Sequence, residues 1–267
     1  MNLEDIAKLA GVSRSTVSRV INNEPYVKEA TRQRVMQIIE KENFQPNPAA
    51  RALVTRRSGI IGVTIPQTTN VFYGDNSYFP MLLQGFAEAI NRRDYAMLLW
   101  LAESHEVRDT FARRVLNHRQ PDGIVITSVI DDDPLFYELV SQNRPFVMVE
   151  TPPAYEDRVS YVTVDNVAAA ENAVNYLIEC VYRRIGTITG QLNIRDGHDR
   201  LVGYKNALTR AGLPVDERLI VPGTFSRERG YTGMKQLLKH RPDALFAGGD
   251  TIAVGAIDAI TEAGLKV

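Results

Sequence analysis

The chain has 267 residues, of which 44% are hydrophobic and 24% charged, with one cysteine and a net charge of −1. This length allows more than one domain and a sizeable core, while the single Cys180 excludes an internal disulfide framework and fits a reducing cytoplasm. No apolar run approaches the ~20 residues of a membrane span, and the acidic start MNLEDIAKLAG is unlike a signal peptide.

Charge is unevenly spread along the chain. Residues 1–57 hold ten Lys and Arg against six Asp and Glu, a balance of +4, whereas the remainder holds 21 against 26, a balance of −5. A small basic module joined to a larger acidic one points to a polyanionic partner for the first part. Three short helices are expected there. Asn2 can cap a helix running to Ala10, with Asp5 at its third position and Gly11 ending it. Ser13 can cap a second helix whose inward residues are Val17, Val20 and Ile21. A third spans roughly 28–42, buries Val35, Ile38 and Ile39, and stops near Asn43. The stretch FQPNPAARALVTRRS follows, with two prolines and then a segment too short to stay helical alone, since isolated helices below ~12–15 residues are marginal.

From residue 59 strand-length apolar runs appear: GIIGVTI, AMLLWLA, DGIVITS, PFVMVE, YVTVD, RIGTITG and DALFAGG. Helical periodicity lies between most of them, as in MLLQGFAEAINRR, NAVNYLIEC and MKQLLKH. Apolar strands alternating with helices predict parallel sheets covered on both faces. Only the link from PFVMVE to YVTVD lacks a clear helix. That break, near 151–159, predicts two α/β halves meeting at a cleft.

On a helical wheel at ~100° per residue, Val17, Val20 and Ile21 of GVSRSTVSRVINNEP share one side. Ser15, Ser18, Arg19 and Asn22 share the other, with Arg14 leading. Two helices joined by the tight AGVS turn form a helix-turn-helix, whose second helix can enter the DNA major groove. Small hydroxyl and amide side chains let such a helix approach closely and contact phosphates. A polar, solvated face on an ordinary three-helix domain has the same pattern.

The full module, LEDIAKLAGVSRSTVSRVIN and then VKEATRQRVMQIIEKENFQPNPAARAL, closely resembles the DNA-binding headpiece of the lactose-repressor (LacI/GalR) family of bacterial transcription regulators. The likeness continues through TRRSGIIGV, NVFY, DGIVI, DRLVGYKNAL, GTFSRERGY and AGGDTIAVGAIDAI, so it covers essentially the whole chain. It implies an α plus α/β architecture: a helix-turn-helix headpiece (1–45), a hinge helix or linker (46–57), and a type I periplasmic-binding-protein-like sensor (58–267). The sensor would comprise two α/β subdomains, about 58–158 and 159–267. The chain stops at AITEAGLKV, where family members continue, so the second subdomain is expected to be incomplete.

By the same resemblance, Arg14, Ser15, Thr16 and Arg19 contact bases, and Leu53 wedges into the minor groove at the operator centre. Ser13, Asn22, Tyr26, Thr31 and Asn47 match positions at the phosphate backbone. Lys28 stands where relatives often have a capping Ser, so the third helix should start less firmly. In the sensor, Arg200 matches the arginine that grips the effector. Asp250 matches a carboxylate that accepts ligand hydroxyls or amines, and Phe72, Tyr73 and Phe225 match aromatic walls. Glu150 falls where many relatives place Asp, and Gly249 replaces an Asn frequent before the Asp. Phe72 and Phe225 can also be read as core, and Asp250 as a helix cap.

The implied function is a transcriptional repressor: a cytoplasmic homodimer on pseudo-palindromic operator DNA, controlled by a small polar effector such as a sugar. Against an enzyme, there is no G-x-S-x-G, P-loop or GxGxxG, and His105, His118, His198 and His240 are isolated. No metal or cofactor is expected. A cytosolic sugar-binding or sugar-modifying protein with an incidental helical N-terminus and an architectural DNA-binding protein without an effector remain as alternatives.

Overall fold

The computed structural model describes residues 1–45, 57–66, 77–102 and 121–267. Asn47 and Leu53 of the hinge, Phe72 and Tyr73 of NVFY, and His105 and His118 lie outside the described residues. The chain divides into two units, 1–59 and 60–267.

The first unit consists of α1 (Leu3–Ala10), α2 (Arg14–Ile21) and α3 (Glu29–Lys41). Local chemistry sets each end. Asn2 Oδ1 accepts from the amides of Glu4 and Asp5 at 2.8 and 3.1 Å, and Asp5 Oδ2 accepts from the Asn2 amide at 2.9 Å. This reciprocal capping satisfies amides that α1 cannot pair internally. Gly11 ends α1 at φ +60°, a left-handed conformation that costs glycine nothing. Ser13 caps α2 through the Thr16 amide. Lys28 precedes α3 with no side-chain cap, as its residue type implies. Ile6, Ala7, Ala10, Val17, Val20 and Val35 form the core, with Ile21, Ile38 and Ile39 packed partly buried against it.

The second unit holds two parallel sheets. The first is built from β1 (Ile60–Pro66), β2 (Ala96–Ala102), β3 (Gly123–Thr127), β4 (Phe146–Val149) and β5 (Ser160–Val162), in the order β2-β1-β3-β4-β5. Helices α4 (Tyr78–Asn91) and α5 (Pro134–Ser141) accompany it. Val63 lies opposite both Leu99 and Val125, and Ile126 opposite Met148, so apolar residues stack across the ladder. Asp133 caps α5 at the Leu135 amide, with Pro134 in the first turn, where its missing N–H does no harm.

The second sheet has the order β7-β6-β8, from β6 (Ile185–Ile188), β7 (Ile220–Val221) and β8 (Ala244–Ala247). It packs with α6 (Asn166–Glu179), α7 (Arg195–Arg210), α8 (Arg227–Leu237) and α9 (Asp250–Glu262). Every strand expected from the apolar runs is present. Two points differ. β5 pairs with β4, Val149 opposite Val162, and so extends the first sheet, whereas the expected boundary near 158 put it in the second half. The two-residue β7 was not foreseen, because so short a run has no periodicity to read.

Helices α8 and α9 cross at very close range. A Cβ on Gly255 would lie 1.9 Å from the Arg227 carbonyl oxygen, and one on Gly230 would lie 2.1 Å from that of Ile252. Each glycine thus admits the backbone of the other helix. The two α/β halves are joined by an antiparallel bridge at Ile130 and Ile194, the Asp131 amide donating to the Asn193 carbonyl at 2.9 Å. Arg195 lies 3.6 Å from Glu156 beside it.

Candidate nucleic-acid interface and ligand cleft

On α2 the structure divides the side chains as the wheel does. Val17 and Val20 are buried, while Arg14, Ser15 and Arg19 are exposed and Thr16 is partly so. Ser13 Oγ sits at the centre of a small hydroxyl cluster, 2.8 Å from Ser15 Oγ and 2.9 Å from Thr16 Oγ1. The leading end of α2 therefore offers hydroxyls at a helix N-terminus, a favourable setting for a phosphate oxygen. The Arg19 guanidinium lies over the exposed Tyr26 ring at 5.7 Å from its centroid, a contact that helps to orient it. Arg14 reaches within 3.9 Å of Glu4, but both are exposed, and such pairs hold little. Asn22 ends α2, and its buried Oδ1 has no hydrogen-bond partner. Thr31 is partly exposed in the first turn of α3.

Arg32, which the sequence reading did not single out, braces this surface. Its Nη1 donates to Asn23 Oδ1 at 2.8 Å and its Nη2 to the Glu24 carbonyl, tying α3 to the loop after α2.

In the second unit, the carboxyl ends of β4, β5 and β8 converge on a cavity of about 540 Å³. This is where ligands bind in open parallel sheets. Arg200, Glu150 and Asp250 all line it. Asp250 does not cap α9: Gly249 holds the cap position and no side chain bonds there, so the carboxylate stays exposed. Phe225 is absent from the lining. It packs behind the cleft, where a Cβ on Gly190 would sit 2.1 Å from its ring and one on Gly249 3.2 Å away. The expected aromatic wall at Phe225 is therefore a support: the Arg200 guanidinium lies over its ring at 5.7 Å. His198 is an exposed residue of α7, 3.3 Å from Asp199 and outside the cavity lining.

The fork of Arg200 is held in place by protein groups. Its Nε donates to Asn166 Oδ1 at 2.8 Å and its Nη1 to the Gly248 carbonyl at 2.6 Å, while Nη2 lies 3.9 Å from Asp196 Oδ2. Asn166, at the start of α6, is itself buried and donates to the Val164 carbonyl. Glu150 is only 7% exposed and has φ +84°, a left-handed conformation that strains a residue bearing a Cβ. Its Oε1 accepts from Ser128 Oγ at 3.0 Å and from the Tyr78 hydroxyl at 3.2 Å, while Oε2 has no partner. Burial, and then the nearby Asp196 charge, push the Glu150 carboxyl up to about 7. Asp196 is raised as well, chiefly by burial. Tyr78 keeps its proton beyond the usual phenol range, through burial first and Glu150 second, and so stays a donor.

Asn166, Asp196 and Tyr78 are cleft residues that the sequence reading missed. A signal existed for one of them: Asp196 precedes Arg200 by four residues on α7, a spacing that places both on one helix face.

A helix-turn-helix with an exposed polar recognition face, joined in one chain to a two-lobed α/β cleft, defines a DNA-binding regulator with a small-molecule sensor. Residues 2–47 match the family described as bacterial regulatory proteins, lacI family. Residues 58–267 match that of periplasmic binding proteins and sugar binding domain of LacI family. The chain belongs to the LacI family of bacterial transcriptional regulators. It is 35% identical over 271 residues to the HTH-type transcriptional regulator CelR of Thermobifida fusca, spanning 99% of this chain and 78% of that protein. A solved transcriptional regulator CelR–cellobiose complex is 32% identical with a TM-score of 0.74, covering all of this chain and 80% of the other. The lac repressor dimer bound to operator and the anti-inducer ONPF shares the fold at a TM-score of 0.82 and 24% identity, covering all of this chain and 79% of that one.

Proposed function

We propose that the chain is a cytoplasmic repressor, active at the nucleoid, that binds a pseudo-palindromic operator as a homodimer. A small polar effector, a sugar or related metabolite, would occupy the sensor cleft and set operator affinity. The carrying observation is the division of α2: its apolar side is sealed in the headpiece core while Arg14, Ser15 and Arg19 face outward. In this reading Arg14, Ser15, Thr16 and Arg19 read bases, with Leu53 at the operator centre. Ser13, Asn22, Tyr26, Thr31 and Asn47 meet phosphates. Residues 1–45 form the headpiece, 46–57 the hinge and 58–267 the sensor. A segment unable to stay helical alone can fold when DNA and a second subunit supply contacts, which makes binding controllable. The effector shifts this equilibrium only if it binds the two states unequally.

In the cleft, Arg200, Glu150 and Asp250 would hold the ligand's polar groups, with Phe225 behind the arginine and Phe72 and Tyr73 as further walls. The cellobiose in the CelR complex supports a carbohydrate as the ligand class. No enzymatic role is proposed. Selection of bound duplexes from a random pool, followed by a sugar screen on the selected site, tests the reading. A two-fold-related consensus whose affinity changes with one sugar is expected. Recovery of no preferred sequence would overturn it.

A further inference from the structure

The charge balance in the cleft carries information about its ligand that the family reading leaves open. Among the described lining residues, Glu150, Asp196 and Asp250 are carboxylates and Arg200 is the cation. That cation is partly engaged by protein groups. Its Nε and Nη1 already donate to Asn166 and Gly248, its Nη2 faces Asp196, and Phe225 covers one face of the guanidinium. The carboxylates are in the opposite condition. Tyr78 and Ser128 occupy Glu150 Oε1, but Glu150 Oε2 is buried and has no hydrogen-bond partner. Asp196 is held by Asn166 and the Thr151 backbone, yet its Oδ1 is likewise buried without a partner. An acceptor left so costs on the order of 1–3 kcal/mol, and more when charged. The two carboxyl groups also repel one another.

We propose that Glu150 and Asp196 form an acceptor pair for a ligand ammonium group, so that the sensor prefers an amino-substituted sugar to its neutral parent and rejects phosphate or carboxylate at that end of the cleft. The inference rests on the sugar-effector reading and adds the charge of the ligand. A single hydroxyl supplies one donor for two waiting oxygens. A pair of hydroxyls satisfies both oxygens but leaves the repulsion between the acids in place. An ammonium supplies three donors and one positive charge, and charge-assisted bonds are roughly twice as strong as neutral ones. An anion meets three carboxylates against one cation among the described lining residues, and two nitrogens of that cation already donate to protein groups.

The test is calorimetric titration of the full chain with matched sets in the gluco, galacto and manno configurations. Each set holds the parent hexose, its 2-amino and 6-amino derivatives, and its 6-phosphate. In at least one set an amino sugar should bind roughly tenfold or more tightly than its parent, and the phosphate should not bind. Glu150→Gln and Asp196→Asn, both close in shape to the native residue, should each abolish the amine preference. If the parent hexose or the phosphate binds as well as the amine in every set, or if the preference survives both substitutions, the ammonium assignment is overturned and the sugar-effector reading stands. If no compound in any set binds, the sugar-effector reading falls and the assignment falls with it. The wild-type comparison decides the matter even if one variant folds poorly.

Discussion

Two side chains show how much a single residue can decide. Arg19 projects from α2 with its guanidinium laid over Tyr26, so it reaches outward already oriented. Competition binding of Arg19→Ala should show discrimination reduced at one operator position by about 1–3 kcal/mol, with other positions unchanged. Glu150 makes a prediction of a different kind. Its carboxyl ionises near 4.5 in the unfolded chain and at about 7 when folded. Between those values the folded state holds a proton that the unfolded state has released, so stability falls as pH rises through the window and levels off above it. Glu150→Gln removes that loss. Denaturant melts should show the variant gaining on the wild type by about 3 kcal/mol at pH 8 and by nothing at pH 4. Arg200, Glu150 and Asp250 were legible in the sequence because each sits in a recognisable short motif. Tyr78 and Asn166 were not, because they come from the starts of two different helices and only tertiary folding brings them to one wall, while Asp196 was marked only by its spacing to Arg200.

At the scale of elements, what is local was readable and what is long-range was not. Asn2, Gly11 and Ser13 mark helix ends through bonds to residues two to four positions away, and all three act as the sequence implies. The assignment of β5 to the first sheet depends on which strand it meets, and alternation of strands and helices contains no such information. The crossing of α8 and α9 is likewise invisible in a single sequence, since Gly230 and Gly255 sit in helix interiors where glycine is ordinarily unfavourable. Their reason is contact. Gly255→Ala should therefore destabilise the second unit despite the better helix propensity of alanine, by at least the 1–3 kcal/mol typical of overpacking. A thermal melt that rises instead would mean the two helices separate easily.

Across the whole molecule, charge and fold divide at nearly the same place. The basic excess lies in residues 1–57 and the acidic excess beyond them, while the compact units part at residue 59. DNA affinity should accordingly fall steeply with salt, the logarithmic slope approaching −0.9 for each phosphate neutralised, as titration at several salt concentrations would show. The same slope is expected of Glu150→Gln, whose change lies in the other unit. The packing behind the cleft also limits how this protein can be re-engineered. A Cβ on Gly190 would lie 2.1 Å from the Phe225 ring and one on Gly249 3.2 Å from it, so a side chain at either position must displace that ring, far more at Gly190 than at Gly249. A designer who places an asparagine at position 249 to alter the taste in ligands would push against an aromatic ring with a glycine at its back. Successful sensor swaps should transplant all three positions as one block.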